Sequence, residues 1–302
     1  MVHPNRCMPE GDTILRAALA LHRVLAGQVV TRFESVYPSV TRIAEDHPIV
    51  GRTIESVSAR GKHLLMAFSG DLVLHTHLRM SGSWHLYRTG ARWQRPARDM
   101  RVLVATAEAV AVGFNVPIAE LLSNRQIERH KEIRALGPDL LAGAGERYGV
   151  VVDAPEIVRR MRARGPDAIA EVLLNQRVVA GIGNVFKSEI LFLAGIDPFT
   201  PVGSLSDADL ERLVGIARDQ LAASVLDRSK TLARSNGRRT TRSLDPTAAL
   251  WVYSRRGKPC RRCGAVIRSR KTGLDARLTY WCPQCQSPYA ASPHVIGRDH
   301  DT

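Results

Sequence analysis

The chain of 302 residues has no apolar stretch of signal-peptide or membrane-span length and no internal repeat. The first absence argues against a spanning helix, and the second against a solenoid or propeller. Cysteine is scarce too: of five, four fall in two Cys-x-x-Cys pairs near the C-terminus and Cys7 stands alone. That usage excludes a disulfide framework and suggests a metal site in a reducing compartment, so a cytoplasmic protein is expected. Acidic residues are also short, 29 Asp and Glu against 43 Lys and Arg, which leaves a net charge of +14. An excess of this size favours a polyanion as partner, most often nucleic acid. The length suits two domains, or one with an appendage, and is enough for a sizeable core.

Apolar residues at Ile14, Leu15, Ala18, Leu19 and Leu21 predict an amphipathic helix that stops at Gly27. From about 29 to 122 the pattern turns to strands. Segments 63–68 and 72–77 flank Ser69-Gly70-Asp71 as a hairpin, and 102–105 with 109–113 form another pair. The glycines between 136 and 149 predict a linker. Helices are then expected over 155–162, 167–174, 185–193 and 207–225, the last opened by Ser206 with Asp209 three residues on. A basic segment over 230–242 predicts a mobile loop, and 287–302 a loose tail. The expected organisation is a leader or misassigned start over 1–8, a β-sandwich domain with a leading helix over 9–135, a linker over 136–154, a helical domain over 155–250, a cysteine module over 251–286 and a tail over 287–302. The fold class is α+β.

Cys260-x-x-Cys263 and Cys282-x-x-Cys285 stand 18 residues apart. Each pair points two thiolates at one centre, which suits one tetrahedral Zn2+ with no open position, hence a structural ion. The basic residues between the pairs, Arg268, Arg270, Lys271 and Arg277, suit a hairpin that grips phosphates, or one that is merely solvated. In Gly181-Ile182-Gly183-Asn184 the glycines permit a tight turn whose N–H groups, at the head of a helix, would suit phosphate; a plain packing turn fits as well. In Met8-Pro9-Glu10-Gly11, removal of everything before Pro9 yields a secondary amine with a pKa of roughly 8. Such an amine attacks a sugar carbon to form an iminium, with Glu10 beside it for proton transfer. Proline at a helix start needs no such purpose. Lys62, after a turn, could bind phosphate or transfer a proton, and Met80, in a Gly-containing loop, could wedge into unstacked DNA; taken alone, an exposed lysine and a packing residue are the better readings.

These pieces occur together and in order: MPEG at 8–11, RGKHLL at 60–65, HLRMSG at 77–82, LGPDLL at 136–141, VVAGIGNVF at 178–186 and RLTYWCPQCQ at 277–286. With them the chain resembles the formamidopyrimidine-DNA glycosylase and endonuclease VIII family, from Pro9 to about Gln286. The resemblance implies a β-sandwich, a helix–two-turn–helix domain and a zinc finger, acting as a monomer on damaged DNA in a bacterial nucleoid. It implies Pro9 as nucleophile, Glu10 as the acid for the opening sugar, and Lys62 as a catalytic and phosphate-contacting lysine. Asn184 and Arg277 would hold phosphates around the damaged nucleotide, and Met80 would fill the gap that a flipped base leaves. The branch specific for oxidised guanine carries an Arg-x-Phe pair where this chain has Val112-Gly113-Phe114, so Phe114 stands without the arginine. That difference favours the endonuclease VIII branch and oxidised pyrimidines. A second possibility is a silent lesion-binding protein whose Pro9 is blocked by residues before it.

Overall fold

The computed structural model describes residues 9–143, 152–226, 238–241, 243, 245–273 and 276–287. The expected leader, the C-terminal tail and most of the 230–242 loop lie outside them. In chain order come α1 (Gly11–Leu25), β1 (Arg32–Ser35), α2 (Pro38–Asp46), β2 (Ile54–Arg60), β3 (His63–Phe68), β4 (Leu72–His77) and β5 (Ser83–Arg88). Then follow β6 (Met100–Ala105), β7 (Ala109–Phe114), β8 (Ile118–Leu122), α3 (Asn124–Arg129) and α4 (Lys131–Arg134). The helical part holds α5 (Ala154–Arg162), α6 (Ile169–Leu174), α7 (Asn184–Ala194) and α8 (Asp207–Leu226), and the last hairpin pairs β9 (Arg268–Thr272) with β10 (Arg277–Trp281).

Two antiparallel sheets, ordered β1-β6-β7-β5 and β2-β3-β4-β8, face each other. Period-two alternation sorts their side chains. Leu64, Met66 and Phe68 of β3 and Leu72 and Leu74 of β4 enter the shared core with Val102, Val104 and Ala111 of the other sheet. Thr76 accepts the indole N–H of buried Trp84 across that core at 3.2 Å. Helix α1 closes the sandwich with Ile14, Ala17, Ala18, Leu21 and Leu25, while its Leu15 packs on the helical domain. One amphipathic helix therefore joins the two halves.

The outer faces are covered as well. Leu65 and Val73 pack under Ile127 and Ile133 of α3 and α4, two helices the strand pattern did not anticipate. A capping box opens α3, Ser123 Oγ accepting from the Gln126 N–H and Gln126 Oε1 from the Ser123 N–H. The stretch read as a linker is anchored at its start: the Gly137 N–H donates to Gln176 O at 2.8 Å, and Leu140 and Leu141 belong to the helical core. Residues 144–151 lie outside the described set. Helix α8 opens as its sequence predicts, the Asp209 N–H donating to Ser206 Oγ at 3.1 Å. The hairpin is tied to α7 through Phe192, Val252 and Ile267, and to the following turn through Gln286, whose amide donates to Ile196 O at 2.9 Å.

Candidate active site

Glu10, 1% exposed, is the keystone of the joint between the halves. Its carboxylate accepts the N–H groups of Gly183 at 3.1 Å, Val185 at 2.8 Å and Phe186 at 3.3 Å. These are the unpaired donors at the head of α7, where a negative charge is favoured. The sequence left a phosphate site and a plain packing turn both open; Glu10 takes these donors. The fit leaves no room for a side chain at 183, where a Cβ would lie 2.3 Å from Glu10 Cγ and Cδ. Gly11 is equally constrained: a Cβ there would meet Gly181 Cα at 2.7 Å, and its N–H donates to Gly181 O at 2.8 Å. The MPEG and GIGN motifs are thus two halves of one interlocked joint, and half-buried Pro9 is carried on it. Gly183→Ala should therefore separate Glu10 from α7 and reduce turnover at least about tenfold, the loss that a ~1 Å misplacement readily produces; an unchanged rate would show that this joint does not position the site.

Lys62 projects from the turn between β2 and β3. Gly61 takes a left-handed φ of 56° there, and its N–H donates to Asp139 Oδ2 at 2.6 Å. Asp139 Oδ1 accepts from the Leu141 N–H at 2.9 Å, so the LGPDLL motif holds the lysine's turn in place. Burial lowers the Lys62 pKa to about 8; Glu10 opposes the shift, while Arg238 and Arg277 add to it. The ammonium is therefore poised to exchange a proton near neutrality.

Beneath the site, Asp12 and Arg238 form a buried pair. Arg238 Nη2 lies 2.7 Å from Asp12 Oδ1, Ser224 Oγ donates to Oδ2 at 2.6 Å, and Arg238 Nη1 stands 3.8 Å from Glu10. The guanidinium also covers the Phe186 ring at 5.2 Å. Arg238 falls in the segment read as a mobile basic loop, yet it is 2% exposed.

Asn184 is 8% exposed, and its amide donates to Leu278 O in β10 at 2.9 Å. Lys187, fully buried, donates to Asn184 Oδ1 and to Thr279 Oγ1, each at 2.7 Å. Burial lowers the pKa of Lys187 to about 7, Glu10 opposing and Arg277 adding to the shift. These contacts lock the hairpin onto α7. At its tip, Arg277 Nη1 comes within 3.6 Å of Met80 Sδ, and Met80, 55% exposed, stands between β4 and β5. Arg277, Met80, Lys62 and the Pro9–Glu10 joint thus lie together: Arg277 touches Met80, and the charges of Glu10 and Arg277 both reach Lys62.

Phe114 is not among them. It is fully buried on the outer face of the first sheet, with the rings of His85 and Trp93 at 5.2 and 5.7 Å. The expectation that it meets DNA is corrected: a strand residue on this face points away from the shared core, into a small cluster of its own, and is fully buried there. Asp12, Asp139, Lys187 and Arg238 were missed in the sequence. A charge on the inner stripe of α1 was the one available signal, at Asp12.

The four cysteine sulfurs all lie within 4.8 Å of one another, with Cys260–Cys285 at 3.9 Å and Cys263–Cys282 at 3.4 Å. Zinc–sulfur bonds of about 2.3 Å in a tetrahedron set sulfurs about 3.8 Å apart, so the donor set fits one structural zinc. Among the described residues no helix is long and apolar enough to cross a membrane.

Residues 8–117 match the formamidopyrimidine-DNA glycosylase N-terminal domain, 152–235 the formamidopyrimidine-DNA glycosylase H2TH domain, and 257–288 a zinc finger found in FPG and IleRS. A relative named probable endonuclease 8 2, from Streptomyces coelicolor, is 41% identical over 95% of this chain and 96% of its own. The DNA-(apurinic or apyrimidinic site) lyase Nei2 of Mycolicibacterium smegmatis is 37% identical over 93% of this chain and 99% of its own. Among solved structures, a Lactococcus lactis formamidopyrimidine DNA glycosylase bound non-covalently to DNA containing an AP site superposes with a TM-score of 0.75, at 25% identity over 92% of this chain and 100% of that one.

Proposed function

This chain belongs to the formamidopyrimidine-DNA glycosylase and endonuclease VIII family, and we propose that it excises oxidised bases from DNA, pyrimidines in preference, and then cleaves the strand. The observation that carries the reading is the fixed Pro9–Glu10 pair with Lys62 beside it, within reach of the charges of Arg238 and Arg277.

In this account the damaged nucleotide leaves the stack, at a cost of a few kcal/mol that a lesion reduces. The free amine of Pro9 attacks the sugar carbon as the C–N bond to the base breaks, and the base departs with its bonding electrons and a proton. Glu10 protonates the opening ring oxygen. Loss of the amine proton leaves an iminium, which acidifies the neighbouring sugar carbon; abstraction there expels the 3′ phosphate and, after a second elimination, the 5′ phosphate. Lys62, with a pKa of about 8, exchanges these protons and offsets phosphate charge. Arg277 holds the backbone, Asn184 keeps the finger in place to do so, and Met80 fills the vacated stack. The zinc is structural and supplies no step.

The preference for pyrimidines rests on what is missing beside Met80. Val112 stands where the guanine branch has its arginine, and it and Phe114 are buried, so this strand adds nothing to the exposed Met80. A substrate found in DNA supports an association with the nucleoid. With residues 1–8 attached, the Pro9 nitrogen is an amide without a reactive lone pair, and the same fold would bind lesions silently.

The test is base release from matched oligonucleotides carrying one oxidised pyrimidine or one 8-oxoguanine, with protein beginning at Pro9. We expect the pyrimidine to leave at least about tenfold faster, the scale of one altered pocket contact; a reversed order would overturn the preference and leave the lyase reading intact.

A further inference from the structure

The outer face of the second sheet, away from the cleft, carries a cluster that the chemistry above does not use. The β-strand alternation that sends Leu74 and Thr76 inward turns His75 and His77 outward beside His63, and Glu120 of β8 shares that face. Helices α3 and α4 fold over it, and His130, between them, completes the group. His75 Nδ1 lies 2.9 Å from Glu120 Oε2, and His130 Nε2 lies 3.2 Å from the same oxygen. All three donor atoms fall within 4.8 Å of one another.

We propose that His75, Glu120 and His130 bind a second zinc ion, with water as the fourth ligand. A zinc ion with nitrogen and oxygen donors at about 2.0–2.2 Å in a tetrahedron holds them about 3.3–3.5 Å apart. The two measured separations reach that with movements of a few tenths of an ångström. Two imidazoles and a carboxylate are a donor set that zinc favours over magnesium or calcium. The site also has the outer support that metal-bound histidines carry. His75 Nε2 is 2.9 Å from His63 Nδ1, so with zinc on Nδ1 the imidazole keeps its proton on Nε2 and donates it to His63. His130 gives up only a long contact, the Ile133 N–H at 3.5 Å from its Nδ1. Glu120 is 41% exposed at its side chain, which leaves water a path to the ion.

The ion would staple the α3–α4 corner to β4 and β8. Its line of support ends on His63, next to Lys62, so it stiffens the strand that presents the catalytic lysine without touching the reaction. It is separate from the Cys260–Cys285 centre in ligand type, and that difference makes it measurable.

The full chain with its finger loaded is dialysed against buffered Zn2+, and metal per chain is counted by mass spectrometry. Two ions are expected in the wild type and one in both His130→Ala and Glu120→Gln, the second being nearly isosteric in case the first unfolds. Co2+ added to protein with the finger zinc in place should give weak visible bands without the intense thiolate charge-transfer absorption, and both variants should lose them. One zinc per chain in the wild type, or two in the wild type and in both variants, would overturn the proposal.

Discussion

Glu10→Gln is expected to slow release of a damaged base by about 10²–10⁴-fold, the range for loss of a positioned proton-transfer group, while cleavage of a preformed abasic site falls far less. Base excision needs the ring oxygen protonated as the sugar opens; a preformed abasic site already reaches the open aldehyde unaided. The substitution also touches the joint, because a carboxylate accepting three N–H groups becomes an amide with one oxygen. One donor of α7 then faces an NH2, at a cost of about 1–3 kcal/mol in stability. The two effects separate in measurement: a loosened joint lowers both activities together, and a lost acid lowers the first alone. Equal loss of both would remove Glu10 from the acid role.

Arg238→Ala should lower stability by about 3–5 kcal/mol, the usual consequence of leaving a buried charge without its partner. Asp12 is fully buried, and after the substitution its carboxylate keeps the hydroxyls of Ser224 and Thr13 and, more distantly, Arg16, but no close cation. Burial by itself would raise the pKa of Asp12, but the charge and hydrogen bonds of Arg238, with Arg16 and Ser224, prevail and hold it at about 2 against an ordinary 3.8. A depressed carboxylate contributes stability above its unfolded pKa. At neutral pH that is about 2 kcal/mol, and it is lost as pH falls from 3.8 toward 2. Denaturant melts at pH 7 and pH 3 should thus show the variant's deficit shrinking as the pH falls. A deficit equal at both values would mean that Arg238 stabilises by packing on Phe186, not by its charge.

The sandwich strands were legible because each buries one clear face in the main core, as His63–Phe68 does with Leu64, Met66 and Phe68. The cysteine pairs were legible because ligand spacing is local. The α3–α4 corner was passed over although Ser123 and Gln126 spell a capping box; a short helix pair contributes little periodicity. Phe114 misled because its role was carried over from the family's Arg-x-Phe pattern, whereas both faces of its sheet are covered and its side chain turns into the outer cluster. The Glu10 joint was beyond local reading: its partners are 173 to 176 residues away. For the same reason Asp139 looked like a linker residue, and Lys187 drew no reading at all. What the motifs conveyed was which residues matter; the contacts that position them are long-range and belong to the fold.

The proposed mechanism turns on the amine of Pro9 as the nucleophile. Borohydride trapping on abasic-site DNA tests it most directly, with protein expressed from Met8, so that removal of the methionine frees Pro9, beside the chain that keeps residues 1–8. A covalent protein–DNA adduct is expected from the first and none from the second. Equal adducts from both, or none from the first while it still binds the DNA, would contradict it.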